Sequence, residues 1–412
     1  MKIALLSYST KPRGGVVHTL ALAEALAAAG QDVTVWSLGR GGDGGFFRAV
    51  DPGVRVRIVP FPDGPAAETV GERILRSIAT LRDAFDPAPY DVVHAQDCIS
   101  ANAAGRCVRT VHHLDHFTTP ELASCHERAI VEPYAHICVS RSVAGELAQG
   151  WGLKAEVIPN GVAYDRFAVT DPAARTAWRT RLGRYVLTVG GIEPRKGSLD
   201  LLEAYALLRA DHPDVQLVVA GGETLFDYRD YRARWEDRAA ELAVEPVVLG
   251  QVPEEDLPPL VAAADAFAFP SVKEGFGLAA MEALAAGVPL VVRDLPVLRE
   301  VFGPAARFAA TPRDLADELG AALANGDPVR RARGRELAAG HTWDAAARRH
   351  LDFYRTLALS ADSGAFGVGR SRTRWKDGLA LEVVSHSSES GSAWWKPGGS
   401  GQSPVVLPIS EP

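Results

Sequence analysis

The chain has 412 residues, 47% hydrophobic and 23% charged, with a formal net charge of −7. At roughly 150 residues per domain this length suggests two or three domains, with apolar material for more than one core. The balance excludes a wholly disordered chain, a collagen-like repeat and a disulfide-dense mini-protein, and the weak acidity argues against a general nucleic-acid binder.

Short β-rich runs alternate with helical patterns through the first half. Strands are predicted over 2–8, 32–38, 54–59, 91–95, 108–112 and 136–140, with helices over 19–29 and 68–85. Strands separated by helices imply βαβ units and a parallel sheet, whose strands are apolar on both faces. The stretch 159–184 carries Pro159, Gly161, Pro172 and Gly183 without a sustained strand, and suits a connection between domains. A second series follows, with strands over 185–189, 216–220, 247–249, 266–269 and 289–292 and helices over 199–208, 231–242 and 278–286. Residues 343–357 have helical periodicity, with Ala345, Leu351, Tyr354 and Leu357 on one face. Beyond Ser360 the chain is Gly/Ser-rich and aperiodic, and is predicted to be disordered, although Trp375, Trp394 and Trp395 leave a docking segment open.

The four cysteines, Cys98, Cys107, Cys125 and Cys138, form no C-x-x-C pair and read as buried or half-buried thiols in a reducing compartment. No apolar run reaches the roughly 18 residues of a membrane span. The first six residues are apolar too briefly for a signal peptide, so a cytoplasmic protein is expected.

Three turns carry chemistry. Arg13-Gly14-Gly15 lies between the first strand and helix, where glycines allow close backbone approach and a helix start favours anions. Taken alone, a tight βα turn is the plainer explanation, and G-x-G-x-x-G is absent. Gly190-Gly191-Ile192-Glu193-Pro194-Arg195-Lys196-Gly197 follows a predicted strand, where parallel α/β sheets bind ligands. Arg195 and Lys196 add two charges that suit a diphosphate leaving group; a solvated basic turn is the plainer explanation. In the third, Glu274 precedes Gly275-Phe276-Gly277, and Glu282 lies just over one turn into the next helix. Two carboxylates so placed can address different hydroxyls of one polyhydroxylated ligand, beside free amides at the helix start.

Glu274 and Glu282, in Glu274-Gly275-Phe276-Gly277-Leu278 and Met281-Glu282-Ala283, form an E-x7-E motif. It resembles that of the retaining GT-B glycosyltransferases of family 4, or group 1. The resemblance runs over most of 1–357. It takes in Gly14-Gly15, Val139-Ser140, Ile158-Pro159-Asn160-Gly161-Val162, Asp165, Phe167, Val189-Gly190, Lys196-Gly197, Ala220-Gly221-Gly222 and Thr342-Trp343-Asp344. It implies a GT-B fold: two Rossmann-like domains with parallel sheets facing a central cleft, 1–166 for the acceptor and 167–342 for the donor. A crossover helix over 343–358 and a tail over 359–412 complete the expected organisation.

By the same resemblance Glu282 holds the nucleotide ribose, and Glu274 contacts donor-sugar hydroxyls. Phe276, Gly277 and Leu278 offer amides, and Lys196 binds the diphosphate. Gly14 and Gly15 lie beside phosphate and acceptor. The family's glycine-arginine pair is here Gly190-Gly191, so Arg195 is the candidate to supply the charge missing at Gly191. The start of Thr110-Val111-His112-His113-Leu114-Asp115-His116 is similar to the segment whose histidine reaches the donor sugar, which makes His112 that histidine. The rival for this segment is a metal site from His112, His113, Asp115 and His116, or a structural histidine. His94 and Asp97 are further cleft candidates, with structural roles open.

The implied reaction moves a sugar from a UDP- or GDP-sugar, with no cofactor and no metal, to an unidentified hydroxyl acceptor. The alternatives are a nucleotide-sugar epimerase, a non-catalytic sugar- or partner-binding protein, and an NAD-dependent oxidoreductase lacking its glycine fingerprint. The segment 73–82, basic on one side and apolar on the other, suits either peripheral contact with an inner membrane face or an ordinary surface helix.

Overall fold

The structure is a computed structural model and describes residues 1–115, 119–222 and 228–362. Its first sheet comprises β1 (Lys2–Leu6), β2 (Asp32–Arg40), β3 (Val54–Phe61), β4 (Val92–Ala95), β5 (Val108–Val111), β6 (Ala135–Cys138) and β7 (Glu156–Val157). The second comprises β8 (Arg184–Val189), β9 (Val215–Ala220), β10 (Val247–Gly250), β11 (Ala266–Phe269), β12 (Leu290–Arg293) and β13 (Arg307–Ala309). The orders are β3-β2-β1-β4-β5-β6-β7 and β10-β9-β8-β11-β12-β13. All pairings are parallel. Strand order therefore reverses beside β1 in one half and beside β8 in the other. Ligands of open α/β sheets bind at the carboxyl ends flanking such a reversal.

The central strands of both sheets are buried on two faces, which is why they read as continuous apolar runs, whereas the edge strand β3 alternates, with Arg55 and Arg57 exposed. In β1, Ile3 and Leu5 pack into one core, and Ala4 and Leu6 into another. In the second half Leu187 and Val186 divide in the same way. The first helix, Gly14–Ala28, begins five residues before the predicted start. Glycine is a poor helix former, but burial of Val16, Leu20 and Leu26 outweighs that propensity. The helix Val70–Ala84 opens on a capping box, in which Thr69 Oγ1 accepts from Glu72 N at 3.2 Å and Glu72 Oε2 from Thr69 N at 2.8 Å. Strand β13, three residues long, was too short to read from pattern.

The final helix, Trp343–Asp362, returns to the first half, where Ala347, Leu351 and Tyr354 join the core of Ile3 and Leu5. The expected Ala345 is only half-buried, and Ala346 and Ala347 are the first buried residues of the helix. The two chain crossings run side by side: Val162 bridges Thr342, and Val162 N donates to His341 O at 2.8 Å. A Cβ at Gly161 would lie 2.5 Å from Trp343 N, so glycine is required there. A second tie joins the halves at the helix Arg141–Trp151. Glu300 Oε1 accepts from Arg141 N at 2.7 Å, and Glu300 Oε2 from Ser142 N and Oγ at 2.9 and 2.7 Å. The final helix runs four residues past its expected end at 358, so 359–362, expected in the tail, are helical; the rest of the expected tail, from 363 onward, lies outside the described residues, and among those described no helix is long and apolar enough to cross a membrane.

Candidate active site

In the second half the two charged turns meet. Gly190 and Gly191 follow β8; Gly190 has φ 146°, and its N–H donates to Ala220 O at 2.8 Å. A short turn, Pro194–Lys196, ends at Gly197, whose φ of 64° and packing against Pro270 O require glycine. This brings both cations to one oxygen across the ends of β8 and β11. Glu274 Oε1 accepts from Lys196 Nζ at 2.6 Å and from Arg195 Nη1 at 2.9 Å. Arg195 is further held by Lys273 O at 3.3 Å and by Glu193 Oε1 at 3.1 Å. Burial pulls the Glu274 carboxyl upward, but Lys196 and Arg195 together hold it down at about 2, so it is ionised.

The helix Leu278–Ala285 starts at Gly277 without a side-chain cap, and its first intrahelical bond is Met281 N to Gly277 O at 3.0 Å. The amides of Leu278, Ala279 and Ala280 therefore head the helix free of intrahelical partners. Phe276 is buried. Glu282 is half-buried on this helix. Its carboxyl is pushed up to about 8, chiefly by burial and further by Glu254, against the pull of Arg166. Arg166 is itself engaged by the Glu254 carboxylate and carbonyl.

The first half contributes neutral rings. Gly14 and Gly15 lie in the first turn of the helix Gly14–Ala28, rather than in a loop before it. A Cβ on Gly15 would stand 3.8 Å from His112 Cδ2. His112, just past β5, has an enclosed Nε2 without a hydrogen-bond partner among the described residues. Burial, then Arg109 and the nearby imidazoles, holds it well below the usual histidine range, so it is uncharged. His18 packs edge-on at 4.7 Å between ring centroids, and its Nδ1 meets Asn160 Oδ1 at 3.0 Å. His112 also touches the other half, since a Cβ on Gly275 would overlap the His112 carbonyl oxygen. Glycine is needed there for the Glu274 turn to reach the first half.

Not every candidate joins this site. His94 is fully buried with both ring nitrogens engaged, at 2.7 Å from Tyr354 Oη and 2.7 Å from Thr110 Oγ1, which is a structural role. Asp97 caps the helix Cys98–Ala104 through Ser100 N at 2.8 Å and holds Tyr8 N at 3.0 Å. His113 Nε2 pairs with Asp115 Oδ2 at 3.2 Å, and His116 lies outside the described residues. Among the described residues no group of three or more His, Cys, Asp or Glu side chains could hold a metal ion. In the basic helix Val70–Ala84, Arg76 is bound to Glu68 at 2.6 Å and Arg82 to Asn102 O at 2.7 Å. The four cysteines are free thiols, three of them buried.

Sequence reasoning missed His18, Asn160, Arg166 and Glu254 as neighbours of the site. The spacing of His18 from Gly14-Gly15, about one helical turn, was the available signal for the first of these.

Family models agree with this architecture half by half. Residues 12–166 match "Glycosyltransferase Family 4", and residues 179–335 match "Glycosyl transferases group 1". The chain is 30% identical over 397 residues to a phosphatidyl-myo-inositol mannosyltransferase of Mycobacterium leprae, covering 87% of this chain and 98% of the relative. It is 31% identical over 417 residues to a D-inositol 3-phosphate glycosyltransferase of Xylanimonas cellulosilytica, covering 86% and 96%. The fold matches that of HepE of Anabaena in complex with UDP and glucose, with a TM-score of 0.67, 21% identity and coverage of 88% of this chain and 100% of that one. Two parallel Rossmann-like halves returning on a final helix are a GT-B architecture, and the chain belongs to the group 1, family 4 glycosyltransferases. It is accordingly a sugar-transferring enzyme, and the epimerase reading receives no support.

Proposed function

We propose that this glycosyltransferase takes its sugar from a UDP- or GDP-sugar and transfers it to an acceptor hydroxyl with retention at the anomeric carbon. The reaction would run between the two halves without a metal ion. The observation that carries this reading is the convergence of Lys196 and Arg195 on Glu274, at the carboxyl ends of β8 and β11 and against His112. Two cations beside an uncapped helix start suit a departing diphosphate, whose charge grows as the glycosidic bond breaks.

The bond between the anomeric carbon and the diphosphate oxygen breaks, and the acceptor oxygen bonds the same carbon from the same face. The acceptor proton passes to the departing diphosphate oxygen. Glu274, ionised, accepts hydrogen bonds from donor-sugar hydroxyls. The donor diphosphate competes with it for Lys196, so the ion pair is a resting arrangement that substrate rearranges. Arg195 supplies the charge absent at Gly191. The amides at Phe276, Gly277 and Leu278 and those of Gly14 and Gly15 approach the ligand, and Glu282 holds the ribose. His112, neutral, offers its Nε2 to a sugar hydroxyl and orients the anomeric carbon. Residues 1–166 form the acceptor side and 167–342 the donor side, with 343–358 tying them together. Closure of the halves excludes water.

The relatives' names place mannose among the first donor sugars to try, and inositol-containing compounds among the first acceptors. Proton NMR of the product formed from a UDP- or GDP-sugar, in buffer with and without EDTA, tests the proposal. The donor's anomeric configuration should be kept and the rate should be indifferent to EDTA. An inverted product, or a rate abolished by EDTA and restored by a divalent cation, would refute it.

A further inference from the structure

The two charged turns of the second half are joined by a side chain that belongs to neither. Arg293 is the last residue of β12, and most of its side chain is buried. Its guanidinium has partners on three elements. Nε donates to Pro270 O at 3.1 Å, just past β11 and at the root of the turn that carries Glu274. Nη2 donates to Asp200 Oδ2, in the first turn of the helix Ser198–Leu208. Nη1 donates to Ala310 O at 3.0 Å, just past β13. The helix Ser198–Leu208 starts at Gly197, immediately after Lys196. Gly197 fits into the same junction, since a Cβ there would stand 2.3 Å from Pro270 O and 3.1 Å from Arg293 Nη2.

The turn Pro194–Lys196 is a single short turn without a side-chain cap, so its place is set by what it rests on. It touches the other turn through the Glu274 ion pairs and through Val272 N, which donates to Arg195 O at 2.9 Å. A diphosphate that takes Lys196 from Glu274 loosens the first of these ties. The bonds of Arg293 involve neither the two cations nor Glu274, so they persist when substrate rearranges that pair. Arginine suits the task, because its planar fork holds several donors in one fixed geometry, whereas lysine is a point donor on a flexible stem. The precision matters: a group acting on developing charge must be held within about 0.5 Å of its productive place.

We propose that Arg293, held by Asp200, is a positioning residue of the transfer reaction. It fixes the separation of the Lys196 turn from the Glu274 turn, and through it the placement of the cations on a donor diphosphate. That second step rests on the donor reading given above; the brace between the turns does not.

The test is calorimetric titration of UDP and UMP, or GDP and GMP, into wild-type protein, Arg293→Met, Lys196→Ala and the double variant. Arg293→Met should weaken the diphosphate at least fivefold and the monophosphate less than twofold. In the Lys196→Ala background the same change should cost the diphosphate at most twofold, because its effect is expressed through that cation. No loss, equal losses for the two nucleotides, or the full loss retained in Lys196→Ala overturns the proposal. Asp200→Ala, at a half-exposed position, should show the same pattern at smaller size and serves if Arg293→Met does not fold. If neither nucleotide binds the wild type, the donor reading fails by itself, and amide exchange on the free protein decides the brace. Val272 N–H should exchange at least tenfold faster in Arg293→Met, with Leu187 and Val218 unaltered. Unchanged exchange at Val272, or equal acceleration at all three, overturns it.

Discussion

The two halves share a strand order yet meet the site with opposite chemistry. At the reversal of the second sheet stand formal charges, with Lys196 and Arg195 on Glu274 and Glu282 a few turns of chain away. At the reversal of the first sheet stand neutral rings, His112 and His18, with unpartnered nitrogens among the described residues. One geometry thus supplies two positions, and the side chains set there decide what each half can bind. Charge suits a diphosphate; an uncharged imidazole suits a hydroxyl, which it can orient without competing for the leaving group.

The largest effect should come from removing a cation. Lys196→Ala should lower kcat by about 10²–10³-fold, as for loss of one preorganised group on developing charge. Steady-state kinetics with the productive donor checks this, and a change under threefold would break the division between charged and neutral halves. Next, Gly275→Ala places a Cβ where the His112 carbonyl stands, so the halves must part. About a hundredfold loss of kcat is expected for a misplacement of that kind, with the melting temperature little altered.

A third test uses protons. Glu282 is raised from its ordinary 4.5 to about 8 in the free protein. In the proposed role of Glu282, ribose hydroxyls donate to its ionised form, so nucleotide affinity should rise as pH climbs through 8, by up to about tenfold per unit below that value. Titrations at pH 6, 7 and 8, at constant ionic strength, would show it. Stability has its own signs. The Glu282 contribution is fully present below about 4.5 and lost as pH rises through about 8. The Glu274 contribution is present above about 4.5 and lost as pH falls through about 2. The smallest effect concerns the scaffold: Tyr354→Phe leaves His94 Nδ1 unpaired in the core and should cost about 1–3 kcal/mol in denaturant unfolding, without changing nucleotide affinity.

The charged half was the more legible in the sequence. Arg195 and Lys196 lie in one short turn and Glu274 in another, with Glu282 in the helix that follows, so their spacing is local. The strands were legible because burial on both faces writes continuous apolar runs. What escaped depends on contacts between distant parts of the chain. The His18–Asn160 pair spans 142 residues and the His94–Tyr354 pair spans 260. The shift of Glu282 comes from burial and from Glu254, neither visible in its own helix. The early start of the helix Gly14–Ala28 was hidden because packing, rather than propensity, sets it.

Titrating UDP and GDP into wild-type protein, Lys196→Ala and His112→Ala tests the division of labour most directly. One nucleotide should bind the wild type, bind Lys196→Ala at least tenfold more weakly, and bind His112→Ala with little change. Loss of binding in His112→Ala with Lys196→Ala unaffected would contradict the account.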